Sequence, residues 1–341
     1  MSRRVPLLHK TPFILDPRPL TEASSPHAGL LASSRAFRAL GVPGLVEANL
    51  PLRKRNRGLG EDQMVESLVL LQTAGGECPE DIRRLGFDPC LARGLGYELP
   101  RPTTVRDFLE RFHDESLEDL RPSRAVQKSF ILPGSEPIEG LQRVVAGMVN
   151  RIASLYESQG QAQTVATVDQ DATIIESHKA AARPHYDGGR GYQPMLAVWA
   201  EADLILADEF RDGNVPARQA PLTCARRAFE ALPKSVVSRF FRGDSACHEA
   251  GLVAWLSDPA RAEDPGGAIG FAISAFPSTD LTESLLRVSN TQWATYDTEP
   301  DGTMRQWADL DFVPGDRYEH KDSRPLRSEE HTSELQSRQS I

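Results

Sequence analysis

Thr164-Val165-Ala166-Thr167-Val168-Asp169-Gln170-Asp171-Ala172-Thr173-Ile174-Ile175 is the stretch on which the fold turns. Val, Thr and Ile crowd both of its ends, the composition of a strand. A two-residue period then sets Asp169 and Asp171 on one face. Strand interiors normally avoid aspartate, so two of them call for a reason. Paired carboxylates at a strand end make an oxygen-rich site of the kind Mg2+ or Mn2+ takes, completed by waters and substrate phosphates. The plain alternative is a solvated strand end.

Downstream, Met195–Ala200 and Leu204–Phe210 are short apolar runs of strand length. Residues 217–232 then read as a helix, 236–241 as a buried strand, 245–256 as a helix and 268–276 as a strand. Three strands followed by helix, strand, helix and strand predict an α/β domain with a mixed sheet. Within it, Phe240-Phe241-Arg242-Gly243-Asp244-Ser245 carries an acid to the C-terminal edge of a strand. Ligands gather at such edges, although an Asp there also serves as a helix N-cap. Acids on two separate strand ends can share metal ions that clamp the oxygens of a phosphoryl transfer.

Upstream the signals are helical. Residues 61–73 place Met64, Val65, Leu68 and Leu71 on one side and stop at Gly75-Gly76. Thr104 and Asp107 resemble a capping box ahead of Phe108, Leu109 and Phe112. A long helix over 139–158 carries a stripe of Leu141, Val145, Met148, Ile152 and Leu155, read as core packing. The expected organisation is an extended arm over 1–26, with five prolines, a helical region over 27–158, and an α/β domain over 160–326.

The 341 residues allow two domains, and 40% apolar with 26% charged residues is ordinary for a globular protein. No apolar run approaches the roughly 18 residues of a membrane helix, and the N-terminus lacks the apolar region of a signal peptide. Four cysteines at 78, 90, 224 and 247 form no CxxC pair, which predicts reduced thiols in a cytoplasmic protein. The net charge of −9 argues against unspecific coating of DNA but leaves local basic patches open. One such patch is Arg53-Lys54-Arg55-Asn56-Arg57, suited to phosphate contacts or to simple solvation. Gly188-Gly189-Arg190-Gly191 lacks the setting of a nucleotide-binding loop and reads as a turn with Arg190 near phosphate. His185 and His248 suggest no nucleophilic triad.

Residues 327–337, Arg-Ser-Glu-Glu-His-Thr-Ser-Glu-Leu-Gln-Ser, resemble the in-frame translation of a short-read sequencing adapter. On that reading 327–341 are an artefact, and the natural protein is expected to continue past Leu326.

Four motifs in order carry a resemblance. They are Val168-Asp169-Gln170-Asp171-Ala172-Thr173, Gly191-Tyr192-Gln193-Pro194, Glu209-Phe210-Arg211-Asp212-Gly213-Asn214 and Arg242-Gly243-Asp244-Ser245. Together with Ala28-Gly29-Leu30 and Pro102-Thr103-Thr104-Val105-Arg106, they resemble bacterial insertion-sequence transposases of the DDE class, in the group 1 branch, over roughly residues 11–326. The resemblance implies an RNase H-like fold, incomplete here, and Mg2+-dependent (or Mn2+-dependent) cutting and joining of element ends. It implies DNA as partner, both terminal repeats and target, and assembly as a homo-oligomer, with no membrane. Asp171 would be the first metal-binding aspartate, with Asp169 the fallback, and Asp244 the second ligand. Arg53, Lys54, Arg55, Arg57, Arg190 and Arg211 are the expected DNA contacts, and Arg211 and Asn214 would lie near the site. The family's third carboxylate, a Glu on a late helix, follows a β-rich insertion that here begins around 275–311. Glu283, Glu299 and Glu319 lie too early to fill that role, so the chain is expected to be inactive as it stands. A non-catalytic DNA-binding remnant of a mobile element is the alternative.

Overall fold

The computed structural model describes residues 24–53, 58–123, 128–261, 267, 269–275, 279–300 and 302–310. Most of the Pro-rich arm, Lys54, Arg55 and Arg57 of the basic loop, and the 327–341 tail lie outside the described residues. The chain divides between Phe112 and His113 into two compact units. That boundary falls well before the one expected near Gly160, because the long helix that precedes Gly160 packs on the sheet of the second unit.

The first unit is helical, with α1 (Leu30–Ala39), α2 (Val42–Asn49), α3 (Glu61–Thr73), α4 (Ile82–Gly86), α5 (Pro89–Leu95) and α6 (Pro102–Glu110). Its core has two parts. Leu30, Leu70, Leu85, Leu91 and Leu95 form one, and Met64, Leu71, Ile82, Val105 and Phe108 the other. Helix α3 ends where the sequence places its stop, with Gly75 at a φ of 76°. Its buried face differs from the apolar stripe: Glu66, Ser67 and Leu70 are buried, while Val65 and Leu68 are half-buried. The reason is polar. Glu66 accepts from Ser34 Oγ at 2.7 Å, from Arg38 Nε at 2.9 Å and from Tyr97 Oη at 3.1 Å, tying α1, α3 and the segment after α5 together. Helix α6 begins two residues before Thr104, with Pro102 as its first residue, so Thr104 is inside the helix and caps nothing.

The second unit opens with α7 (Glu115–Glu118) and α8 (Glu136–Ser158), followed by β1 (Val165–Ala172), β2 (Ile175–Glu176), β3 (Arg183–Pro184), β4 (Arg190–Tyr192), β5 (Met195–Trp199) and β6 (Leu204–Glu209). Then come α9 (Pro221–Ala231), β7 (Ser238–Gly243), α10 (Ala250–Ser257), β8 (Gly270–Ile273), α11 (Thr279–Leu286), β9 (Ala294–Thr298) and β10 (Met304–Trp307). Five strands make the main sheet in the order β6-β5-β1-β7-β8. β6, β5 and β1 pair antiparallel, while β1, β7 and β8 run parallel. This is the mixed sheet the sequence predicts, and the domain is RNase H-like with a helical region before it. One face of the sheet packs on α9 and α10, with Ala166, Val168, Ala197, Trp199 and Phe241 meeting Phe229, Leu252 and Leu256.

Where boundaries differ, local chemistry explains it. Helix α8 starts at Glu136, and its buried residues are Gly140, Val144, Val149 and Ala153. The bulkier stripe lies beside them, half-buried, with Leu155 exposed. Small residues allow the helix to approach β6 and α9 closely, so they take the contact face. Helix α9 starts at Pro221 rather than 217, since Ala220 before it is left-handed at φ 50°. Residues 245–256 are two elements: a 3-10 turn over Ser245–Cys247 capped by Asp244, then α10 capped by Glu249. Among the described residues no helix is long and apolar enough to cross a membrane.

Candidate active site at the ends of β1 and β7

The parallel ladder between β1 and β7 sets Asp169 beside Arg242 and Gln170 beside Gly243. One step further along come Asp171, still on β1, and Asp244, the first residue past the end of β7. Both are exposed. Each spends one oxygen locally: Asp171 Oδ1 accepts from the Ala172 N–H at 2.7 Å, and Asp244 Oδ1 from the Ala246 N–H at 2.9 Å. Asp244 is thus an N-cap as well as a strand-end acid. Burial pushes the Cys247 thiol up to about 12, and the charges of Asp244 and Asp171 both add to the effect.

Hard carboxylate oxygens in this number suit Mg2+ or Mn2+, which bind through one or two carboxylates and keep several waters. Among the described residues no group of three or more His, Cys, Asp or Glu is placed to hold a metal ion.

Asp169 shares the face of Asp171, as period two requires: Ala166, Val168 and Gln170 are buried on the other side. Its carboxylate is engaged. Arg242 Nε donates to Oδ1 at 2.7 Å and Nη2 to Oδ2 at 2.5 Å. Between the two aspartates, Gln170 turns into the core and donates through Nε2 to the Pro221 carbonyl at 3.0 Å. It thereby anchors the end of β1 to the start of α9. Its amide went unnoticed in the sequence, although the period that exposes the aspartates necessarily buries it.

The second and third motifs are bound to each other. The Gln193 N–H donates to the Arg211 carbonyl at 2.9 Å, the Gly213 N–H to Gly191 at 3.1 Å, and the Tyr192 and Phe210 rings lie 4.9 Å apart. Both glycines are sterically required. A Cβ on Gly191 would sit 2.1 Å from the Ile175 carbonyl oxygen, and one on Gly213 2.6 Å from that of Arg183. Arg211 differs most from expectation. It is 0% exposed, pairs with Glu209, and donates to the carbonyls of Ala217, Gln219 and Ala220. Its donors hold the loop into α9, and it has no surface with which to meet a phosphate. Asn214 Nδ2 lies 3.5 Å from the Lys128 carbonyl oxygen.

No family model matches this chain, and no curated protein sequence matches it. Among solved structures it is similar to the crystal structure of the Mos1 strand transfer complex, at 15% identity and a TM-score of 0.17. That similarity covers 66% of this chain and 63% of the other. It is also similar to the crystal structure of a pre-cleavage Mos1 transpososome, at 14% identity, with 65% and 64% covered and a TM-score of 0.15. The chain therefore spans somewhat less than two thirds of the length of these neighbours. The fold rests on the strand order and pairing above.

The remaining basic candidates are placed as follows. Arg190 is exposed, and its guanidinium donates to the Ala182 carbonyl at 2.8 Å and to Ala180 at 3.3 Å, closing the small sheet β2-β4-β3. In the first unit, Arg53 pairs with the buried Glu61 at 2.5 Å. His185 is buried, with its ring against Gly189.

Proposed function

We propose that the chain is a DNA transposase of the DDE class, acting by metal-dependent phosphoryl transfer at the ends of an insertion sequence. What supports the reading is that two exposed aspartates, Asp171 on β1 and Asp244 just past β7, follow directly on the paired residues Gln170 and Gly243 of adjacent parallel strands in an RNase H-like sheet. Fold by itself would not carry it, because function belongs to the site. When bound, a divalent ion neutralises charge on phosphoryl oxygens and sharpens the attacking oxygen as a nucleophile. Asp171 and Asp244 would hold that ion through their outward oxygens. Gln170 and the Arg211 knot keep the strand ends rigid, as positioning of reactants demands. DNA terminal repeats and target are the proposed substrates, and a homo-oligomer the proposed assembly. The 327–341 segment, which resembles a sequencing adapter, is read as foreign to the protein.

The test begins with long-read sequencing of the source DNA from codon 315 onward, which supplies the full reading frame. The protein from that frame is expected to nick and join element ends with Mg2+ or Mn2+. Asp171→Asn or Asp244→Asn should abolish cleavage and leave DNA binding largely intact. Cleavage at the wild-type rate by either variant defeats the assignment. A genomic tail with DNA binding but no nicking favours the non-catalytic remnant.

A further inference from the structure

The ladder that carries Asp171 runs on past it. Asp171 faces Leu196 across β1 and β5, the Thr173 N–H donates to the Pro194 carbonyl at 3.1 Å, and Ile175 faces Tyr192 across β2 and β4, all in one register. On the other side the Gln193 N–H donates to the Arg211 carbonyl at 2.9 Å and Tyr192 bridges Asp212, continuing the pairing of β5 with β6. Residues opposite each other in an antiparallel ladder point to the same face, and so do residues two apart. Asp171, Thr173, Ile175, Tyr192 and Phe210 therefore share one face, while Gln170, Gln193 and Arg211 are buried on the other. The apolar members of that face are contiguous. Ile175 is 52% exposed opposite Tyr192, and the half-buried Tyr192 ring lies 4.9 Å from that of Phe210, which is 50% exposed. Single exposed apolar side chains are commonplace, whereas a contiguous aromatic patch marks a binding surface. By strand geometry the backbone at Phe210 stands roughly 12 Å from that at Asp171. Two residues before Tyr192, the exposed Arg190 falls on the same face. Asp212 falls there too, but it is buried and paired with Arg121, which neutralises its charge.

We propose that Phe210 and Tyr192 form a stacking platform for an unpaired base of the DNA strand that passes Asp171, with Arg190 beside it as a phosphate contact. The proposal rests on the DNA-processing reading above. A base presents its flat face to an aromatic ring, and such stacking tolerates any sequence because every base has that face. Inside a duplex both faces are covered by neighbouring bases, so the platform selects a strand that is single or locally opened. Three side chains are far too small a surface for a protein partner, which takes about 800 Å2 on each side. They match the area of one base. The second and third motifs, each of which brings one of the rings, thus have a duty beyond locking the loops.

The test titrates the full 341-residue chain against a fluorescein-labelled single strand of mixed sequence and against its blunt duplex, read by fluorescence anisotropy. EDTA is present, so that no metal contributes. Phe210→Leu keeps an apolar side chain but removes the ring, and it is expected to weaken single-strand binding about tenfold. Phe210→Trp should stay within about twofold of the parent or bind more tightly, and neither variant should move duplex binding more than about twofold. Salt separates the two kinds of contact. Arg190→Gln should flatten the slope of log affinity against log salt by about 0.7, while Phe210→Leu leaves that slope unchanged. An iodouracil-bearing strand irradiated on the parent should cross-link to Phe210 or Tyr192, as located by mass spectrometry. Unchanged thermal melts will confirm that each variant folds. The proposal fails if Phe210→Leu binds the single strand as the parent does, or if it loses single strand and duplex equally. It fails also if the parent binds duplex alone, an outcome that leaves the transposase reading standing. If Phe210→Leu changes the sedimentation of the DNA-free protein and not its DNA binding, the patch is a protein interface instead. If the parent binds neither DNA, the DNA-processing reading itself falls and takes the platform with it.

Discussion

Asp169, Gln170 and Asp171 occupy three consecutive positions and meet three environments: an arginine fork, a buried carbonyl and solvent. The two aspartates, identical side chains, thus acquire different chemistry from the partners that the strand register sets beside them. Asp88 shows the same principle in the first unit. Burial works against its charge, yet the Ser25 hydroxyl, the Leu91 and Cys90 N–H groups and His27 hold its carboxyl down to about 2. A folded value below the ordinary Asp value of about 3.9 means the stabilisation is complete above pH ~4 and is lost as pH falls towards 2. Asp88→Asn should therefore differ in stability from the parent above pH ~4, with the gap closing by pH ~2. Urea unfolding at a series of pH values measures this. A gap that stays constant down to pH 2 would mean the native contacts do not govern Asp88.

At the scale of elements, the sequence motifs divide by duty. The first and fourth bring the carboxylates to the strand ends, whereas the second and third lock the loops around them. Arg211 is the centre of that lock. Arg211→Ala would strand Glu209 as a buried charge and release the carbonyls ahead of α9, at a cost of about 3–5 kcal/mol. The expected result is a large drop in the urea midpoint. A variant of normal stability that binds DNA weakly would restore Arg211 to the role of phosphate contact. Nothing local in Glu-Phe-Arg-Asp-Gly-Asn distinguishes these roles, because an arginine reads the same whether its partners are phosphates or the carbonyls of a loop six to nine residues on.

For the whole molecule, the decisive feature is that each unit has its own core, a two-part helical one in the first and one built on the mixed sheet in the second. Native-state hydrogen exchange should report two cooperative units, with slow amides in α3 for the first and in β1, β5 and β7 for the second. Glu66→Ala leaves Ser34, Arg38 and Tyr97 without their common acceptor and should cost the first unit on the order of 2–4 kcal/mol. Exchange in the second unit should not change. A uniform loss of protection across both units would mean that the chain unfolds as one.

The order of the five main-sheet strands and of α9 and α10 was legible in the sequence, because burial of one strand face and one helix face imposes periods of two and about 3.6. The two- and three-residue strands β2, β3 and β4 are too short to show a period. Also legible were the face shared by Asp169 and Asp171 and the arrival of Asp244 at a strand end. Tertiary structure decided which of these groups stay available. Whether Asp169 is free depends on the residue set opposite it by the β1–β7 register, and Arg211 is buried because Glu209 and the α9 loop close over it. It likewise assigned α8 to the sheet unit, because its small residues fit β6 and α9 more closely than its bulky stripe does. Periodicity records which side of an element is apolar. Only packing fixes which partner that side meets and which polar group is consumed in the meeting.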